Sequence, residues 1–256
     1  MTIKFIPRNP LLIDLEGQRR VNRSNTAVAP EGLHSGIGET EGQLLGDLVI
    51  NNGAKTVLEV GLANGFSTLY LLDALQQTQG ESLVSLDPYQ QSDWGNRGLT
   101  RVAEAGFAEL HEFHSLNSLE AFTGPCQERK FDLIFIDGSH AFDNAFVDFY
   151  LSERHLKPGG ILVFDDVGWA GVERVCHYIV ANRNYEIIAS LSGERTQNAV
   201  RPRATSTLKR LGERLARTHR TPLTRHQQGI NTVNNSEMIA FRTREGNTFE
   251  ANFNPF

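Results

Sequence analysis

Along most of the 256 residues, short continuous apolar runs alternate with longer stretches whose apolar positions recur every three to four residues. A short run rich in β-branched and aromatic residues, bounded by turn formers, is the pattern of a strand buried on both faces. Strands are therefore predicted at Thr56–Val60, Ser82–Leu86, Glu109–His114, Phe131–Ile136, Ile161–Phe164 and Tyr185–Leu191. Helices are predicted at Ser67–Gln76, near Leu99–Ala105, at Asn144–His155 and at Val172–Asn182. A further helix is predicted over Thr40–Asn52: Thr40 can cap it, Leu44, Leu45, Leu48 and Val49 form its stripe, and Gly53 stops it. Residues 1–40 show no clear period and read as an irregular arm, while Met238–Arg242 and Thr248–Phe253 read as a closing strand pair or hairpin. The alternation predicts an α/β fold, a doubly wound and mostly parallel sheet with helices on both faces. No internal repeat divides the chain, so residues 1–256 read as a single domain.

Two of these runs end in chemistry. FIDGSH places Asp137 and His140 just beyond Ile136, and LVFDDV places Asp165 and Asp166 just beyond Phe164. Ligands of open α/β sheets bind outside the carboxyl ends of the strands, so these groups are expected around one crevice. Carboxylates a few Å apart repel and raise one another's pKa, and a divalent cation is a physical reason to gather them. Oxygen donors without cysteine or clustered histidine favour Mg²⁺ over Zn²⁺, with Mn²⁺ and Ca²⁺ as alternatives. The plainer reading has one of Asp165 and Asp166 capping the next helix and the other facing solvent. His140 titrates near neutrality when unperturbed, which suits proton removal.

Composition narrows the partners. A net charge of -5 argues against nucleic acid, whose phosphates require a basic surface. No run approaches a membrane span, and the start MTIKFIPRNP lacks the apolar core of a signal peptide. Cys126 and Cys176 fit no metal or redox spacing and are expected as buried free thiols. A cytoplasmic protein is the expectation, with a homodimer as the usual assembly. One stretch departs from the average: Gly193–Gln228 holds nine Lys or Arg against two acids, and Leu208, Leu211 and Leu215 recur at helical spacing. The span 193–231 reads as a basic insertion before the last strands, either a solvated surface helix or a contact for an anionic substrate or partner. Phe142, Phe146, Phe149 and Tyr150 are expected as a core stripe. Trp94 and Trp169 lie in loops where an indole could wall a substrate pocket, and His34 is a weaker candidate for the same site.

Between the first strand and its helix lies GLANG, with Gly61 and Gly65 bracketing Ala63 and Asn64. Glycines let backbone approach a ligand, and the following helix N-terminus favours negative groups. The spacing is not that of the dinucleotide fingerprint. Asp87 follows the next strand, 26 residues beyond Gly61, where an acid can accept both hydroxyls of an adenosine ribose. Strand, glycine loop, helix, strand and acid together point to an adenosyl cofactor.

EVGLANG and SLDPYQ resemble motifs I and II of class I S-adenosylmethionine-dependent methyltransferases. DPYQ, FDLIFIDGSHAFDNAFVDFY, LKPGGILVFDDV and MIAFR resemble a bacterial group of small-molecule methyltransferases, and TEGQLLGDLVINNGAKTVLEVGLANGFS resembles the catechol O-methyltransferase type. The resemblance runs from about Gly32 to the terminal FNPF. It implies a Rossmann-like seven-stranded sheet with an antiparallel C-terminal strand. It further implies that Glu59, Gly61, Ala63, Asn64 and Gly65 form the cofactor loop, that Ser67 holds the methionine carboxylate and that Ile37 covers that end. Asp87 would bind the ribose, and Ser115, or Ser118 in its place, would lie near the adenine. Asp137, Asp165 and Asp166 fall on the metal-ligand positions of catechol-type enzymes, the third of which is usually Asn. Alternatively, Asp137 holds the methionine amino group. His140 falls at the catalytic base, as in metal-dependent sugar O-methyltransferases of macrolide pathways.

The resulting expectation is O-methylation of a small hydroxylated secondary metabolite, with S-adenosylmethionine as donor and Mg²⁺, Mn²⁺ or Ca²⁺ at the aspartates. Its rivals are metal-independent methyl transfer to N, C or carboxylate, and a non-catalytic, cofactor-binding assembly subunit.

Overall fold

A computed structural model describes residues 3–24, 36–192 and 225–244. Its centre is a seven-stranded sheet: β1 (Thr56–Val60), β2 (Ser82–Leu86), β3 (His111–His114), β4 (Phe131–Ile136), β5 (Leu156–Phe164), β6 (Tyr185–Leu191) and β7 (Met238–Thr243). The spatial order is β3-β2-β1-β4-β5-β7-β6, with β7 antiparallel to both β5 and β6 and the other pairings parallel. The expected Rossmann-like, mostly parallel sheet with an antiparallel C-terminal strand is present. Strand order reverses at β1, between β2 and β4, and this switch point opens the crevice at the strand ends.

Strand periodicity divides the core in two. Val57, Leu133, Phe135, Ile161 and Val163 face one side, whereas Leu58, Ile134, Ile136, Leu162 and Phe164 face the other, all of them buried. The first layer is closed by α1 (Pro10–Ser24), α2 (Glu39–Asn52), α3 (Phe66–Gln77) and α4 (Arg97–Glu104). The second is closed by α5 (Ser118–Phe122), α6 (Phe142–Ser152), α7 (Ala170–Asn182) and α8 (Arg225–Val233). Cys126 and Cys176 are buried free thiols in the second layer.

Several expectations are corrected. The arm read as irregular contains α1. Asn9 caps it, its Oδ1 accepting from the Leu11 and Leu12 amides at 3.1 and 3.3 Å. Buried Asp73 on α3 accepts from the Arg8 and Asn9 amides, and Phe5 fills the notch left by Gly46, so the arm is docked rather than loose. Helix α2 is capped at Gly38, not Thr40, with Glu41 reaching back to the Gly38 amide. The closing pair is β7 with β6, because β7 inserts between β5 and β6; Thr248–Phe253 lies outside the described residues. The aromatic stripe of α6 is only half core: Phe149 is buried, whereas Phe142 and Tyr150 are exposed. The basic segment around Leu208–Leu215 and His34 lie outside the described residues, and α8 begins at the end of the predicted insertion.

Candidate active site

The site is built on strand ends whose ladders continue one residue past each strand. The Gly61 amide donates to the Leu86 carbonyl at 2.8 Å, Asp137 to Val60 at 2.9 Å and Asp165 to Ile136 at 3.1 Å. These bonds fix the rim of the crevice, and side chains from three strand ends share it. Gly61 has φ +99°, and a Cβ there would lie 2.1 Å from the Asp137 carbonyl oxygen, so the glycine permits the two rims to touch. Gly65, with φ +79°, starts α3 against Gly98 of α4.

Asp87 stands at the end of β2, its Oδ2 accepting from the Ala63 amide at 2.9 Å and Gln90 Nε2 at 3.1 Å, and its Oδ1 from the Tyr89 amide at 2.9 Å. Gln90 also donates to the Ala63 carbonyl, tying the glycine loop to β2. Gln90 closes the SLDPYQ segment, where no role had been expected of it. Asn64 is buried, held by Arg97 Nε at 3.0 Å and by Arg101 Nη1 on its carbonyl at 2.6 Å. Ile37 is buried, and Arg19 of α1 donates to its carbonyl at 2.8 Å while lying 4.1 Å from the Phe66 ring centre. Ser115 is exposed, whereas Ser118 is buried and donates to Asp148 at 2.6 Å.

Glu59 lies beneath this loop, fully buried, with three hydroxyl donors: Ser67 at 2.6 Å, Thr68 at 2.7 Å and Ser85 at 2.7 Å. The Ser67 hydroxyl is thus engaged by Glu59, which leaves the α3 N-terminus as the element favouring a carboxylate here. Burial pushes the Glu59 carboxyl up to about 7, against the opposing effect of those three donors. An acid whose pKa is raised by folding keeps its proton where the unfolded chain has released it. Stability from this group is therefore full below the ordinary value of 4.5 and declines as pH rises toward about 7. Glu59→Gln should flatten that decline by about 3 kcal/mol. Melting temperatures at pH 5, 6, 7 and 8 would test this, and identical slopes for the two proteins would refute it.

Asp137, His140 and Asp166 each offer a ligand atom, all within 4.8 Å of one another. His140 Nε2 pairs with Asp166 Oδ2 at 2.7 Å. Asp166 has φ +54°, an unusual conformation for a residue with a Cβ. Asp165, expected among the ligands, is buried beside the trio, lining the same crevice as Asp137 and His140. Burial first, then Asp165 and Asp166, raises the Asp137 carboxyl well above the usual range; burial and then Glu41 do the same for Asp165. Glu41, also unmarked by the sequence pattern, thus adds to a concentration of negative charge. The donor set suits a hard divalent cation, and the surplus charge also suits a cationic cofactor. Trp169 stacks on His140 with ring centres 4.9 Å apart, whereas half-buried Trp94 has no comparable contact with the trio.

The seven-stranded sheet has the architecture of solved O-methyltransferases. Residues 58–167 match a methyltransferase domain family. Tricin synthase 1 of Oryza sativa subsp. japonica is 32% identical over 139 residues, covering 51% of this chain and 52% of that protein. Caffeoyl-CoA O-methyltransferase 2 of Zea mays is 31% identical over 159 residues, covering 58% and 55%. The chain thus spans about half the length of these curated relatives. The O-methyltransferase from Bacillus cereus, solved in complex with SAH, superposes with a TM-score of 0.61 at 18% identity, covering 94% of this chain and 93% of that one. TomG from Streptomyces achromogenes, an O-methyltransferase of tomaymycin synthesis solved with SAM, gives 0.53 at 20% identity, covering 94% and 92%. The structural likeness establishes the fold, and the sequence match to a methyltransferase domain is confined to residues 58–167.

Proposed function

We propose that this protein transfers a methyl group from S-adenosylmethionine to a hydroxyl of a small metabolite, with a divalent cation at the acidic cluster. The observation that carries this reading is the convergence of Asp137, His140 and Asp166 beside the glycine loop and Asp87. Asp87 would accept from the ribose hydroxyls, Ile37 would cover the methionine end, and the acidic rim would favour a donor bearing sulfonium and ammonium charges. Asp137 and Asp166 would hold the cation, with Asp165 setting the local charge. A bound cation supplies charge that lowers the pKa of an acceptor hydroxyl. The sulfonium methyl is already electrophilic, so the protein's work is alignment and deprotonation. With Nε2 facing Asp166, the other ring nitrogen of neutral His140 is left to take the acceptor proton. The new O–CH₃ bond forms as the S–CH₃ bond breaks.

A second reading draws on the 2.7 Å His140–Asp166 pair itself. Asp166 would orient the imidazole as a metal-independent general base, the role of a carboxylate partner in other base-assisted sites.

A cytoplasmic homodimer acting on a secondary metabolite, without nucleic acid or membrane, completes the proposal. In the described residues, no helix is long and apolar enough to cross a membrane. The direct test is methyl transfer from S-adenosylmethionine to a panel of phenols, catechols and sugar diols, read as a methyl-ether product by mass spectrometry. Calorimetric cofactor binding without turnover on any acceptor would favour a non-catalytic subunit.

A further inference from the structure

Asp166 accepts at one ring nitrogen of His140, which fixes an edge of the imidazole but leaves its plane free to pivot. The Trp169 indole supplies the missing restraint, lying on the imidazole face with 27° between the planes. Trp169 is itself held. Its amide donates to the Asp166 carbonyl at 2.9 Å, and its carbonyl accepts from the Glu173 amide at 2.8 Å as α7 begins. Gly171 brings the first turn of α7 against the His140 backbone: a Cβ there would lie 2.2 Å from the His140 carbonyl oxygen and 2.8 Å from the Phe142 nitrogen. The turn into α7 also ties to the residue before β7, with the Val167 amide donating to the Glu237 carbonyl at 2.8 Å. One turn therefore contacts His140 at its ring edge, ring face and backbone.

We propose that Trp169 is a positioning residue for His140, its indole fixing the plane of the imidazole that abstracts the acceptor proton. The inference rests on the base role proposed above. Trp169 is 58% exposed, a large apolar side chain on a surface turn whose stacking partner is the imidazole. A role in packing the core does not account for its place.

The test is a double-mutant cycle of Trp169→Ala and His140→Ala, with Trp169→Phe as the conservative variant. Trp169→Ala should lower kcat by roughly tenfold, the scale of one stacked aromatic contact, with KM for the methyl donor unchanged. Trp169→Phe should recover most of it. In the His140→Ala background, Trp169→Ala should have no further effect. An equal loss in both backgrounds, or a rise confined to the acceptor KM, would show that Trp169 serves the acceptor and would overturn the inference. A Trp169→Ala protein with unchanged kcat would also overturn it.

A second readout needs no turnover. In Trp94→Phe protein, acrylamide quenching of Trp169 should rise when His140→Ala uncovers one indole face. Unchanged quenching would show that the stack is not formed in solution. A His140→Ala enzyme turning over at the wild-type rate would instead remove the base role, a different outcome from an intact base that ignores Trp169.

Discussion

Replacing His140 with alanine is expected to lower kcat by about 10²- to 10⁴-fold, the usual contribution of a positioned general base. The geometry confines where the loss should appear. His140 pairs with Asp166, whereas Asp87 and Glu59 bond the glycine loop and the start of α3, so cofactor affinity measured by calorimetry should change little. The loss should be largest near neutral pH and smaller in alkaline buffer, where hydroxide and the ionised acceptor compensate. His140→Asn, which preserves some polarity without a basic nitrogen, should be nearly as impaired as the alanine variant. A variant with wild-type kcat at pH 7 would remove His140 from the mechanism.

Rigorous chelation carries the second large effect. If Asp137 and Asp166 hold a divalent cation, dialysis against EDTA should reduce turnover by about three orders of magnitude, corresponding to several kcal/mol of charge stabilisation. Mg²⁺ or Mn²⁺ should restore it. Thermal stability offers a separate gauge, because burial and mutual repulsion raise the Asp137 and Asp165 carboxyls. Raised carboxyl pKa values make these groups increasingly unfavourable to folding as pH rises above the ordinary carboxylate range. A cation that neutralises them should therefore raise Tm more at pH 8 than at pH 5. Full turnover after chelation would leave the His140–Asp166 pair as the metal-independent alternative. In that case Asp166→Ala should impair the enzyme through loss of ring orientation, and added cation should not rescue the chelated protein's Tm.

Strand positions were legible because buried parallel strands are continuous apolar runs. Thr56–Val60, Ser82–Leu86 and Phe131–Ile136 have the expected bounds, as does the antiparallel edge strand Tyr185–Leu191. What periodicity does not encode is which distant groups an element meets. Helix α1 is polar on average, and its arm is anchored by Asp73 and by Phe5 in the Gly46 notch, contacts spanning more than 40 positions. The placement of β7 between β5 and β6 was hidden for the same reason.

Within the site, Asp137, His140, Asp165 and Asp166 stood out because each follows a strand end. Their relative geometry did not. Asp166 has a left-handed backbone and is the carboxylate that pairs with His140, whereas Asp165 lines the crevice outside the trio of Asp137, His140 and Asp166. Glu41 and Gln90 were missed because each sits in an ordinary local pattern, a helix start and a turn, and becomes relevant only when the sheet brings those places together.

The antiparallel wedge of β7 has a consequence for biosynthesis. The strand beside β5 and the Glu237 carbonyl that fastens the 166–171 turn both arrive after most of the sheet has been made. At about 5–20 residues per second, several seconds separate emergence of β5 from that of β7. During that interval, nascent chains expose an unpaired apolar edge at Ile161–Phe164, a surface that invites chaperone capture or pairing with a neighbouring nascent chain.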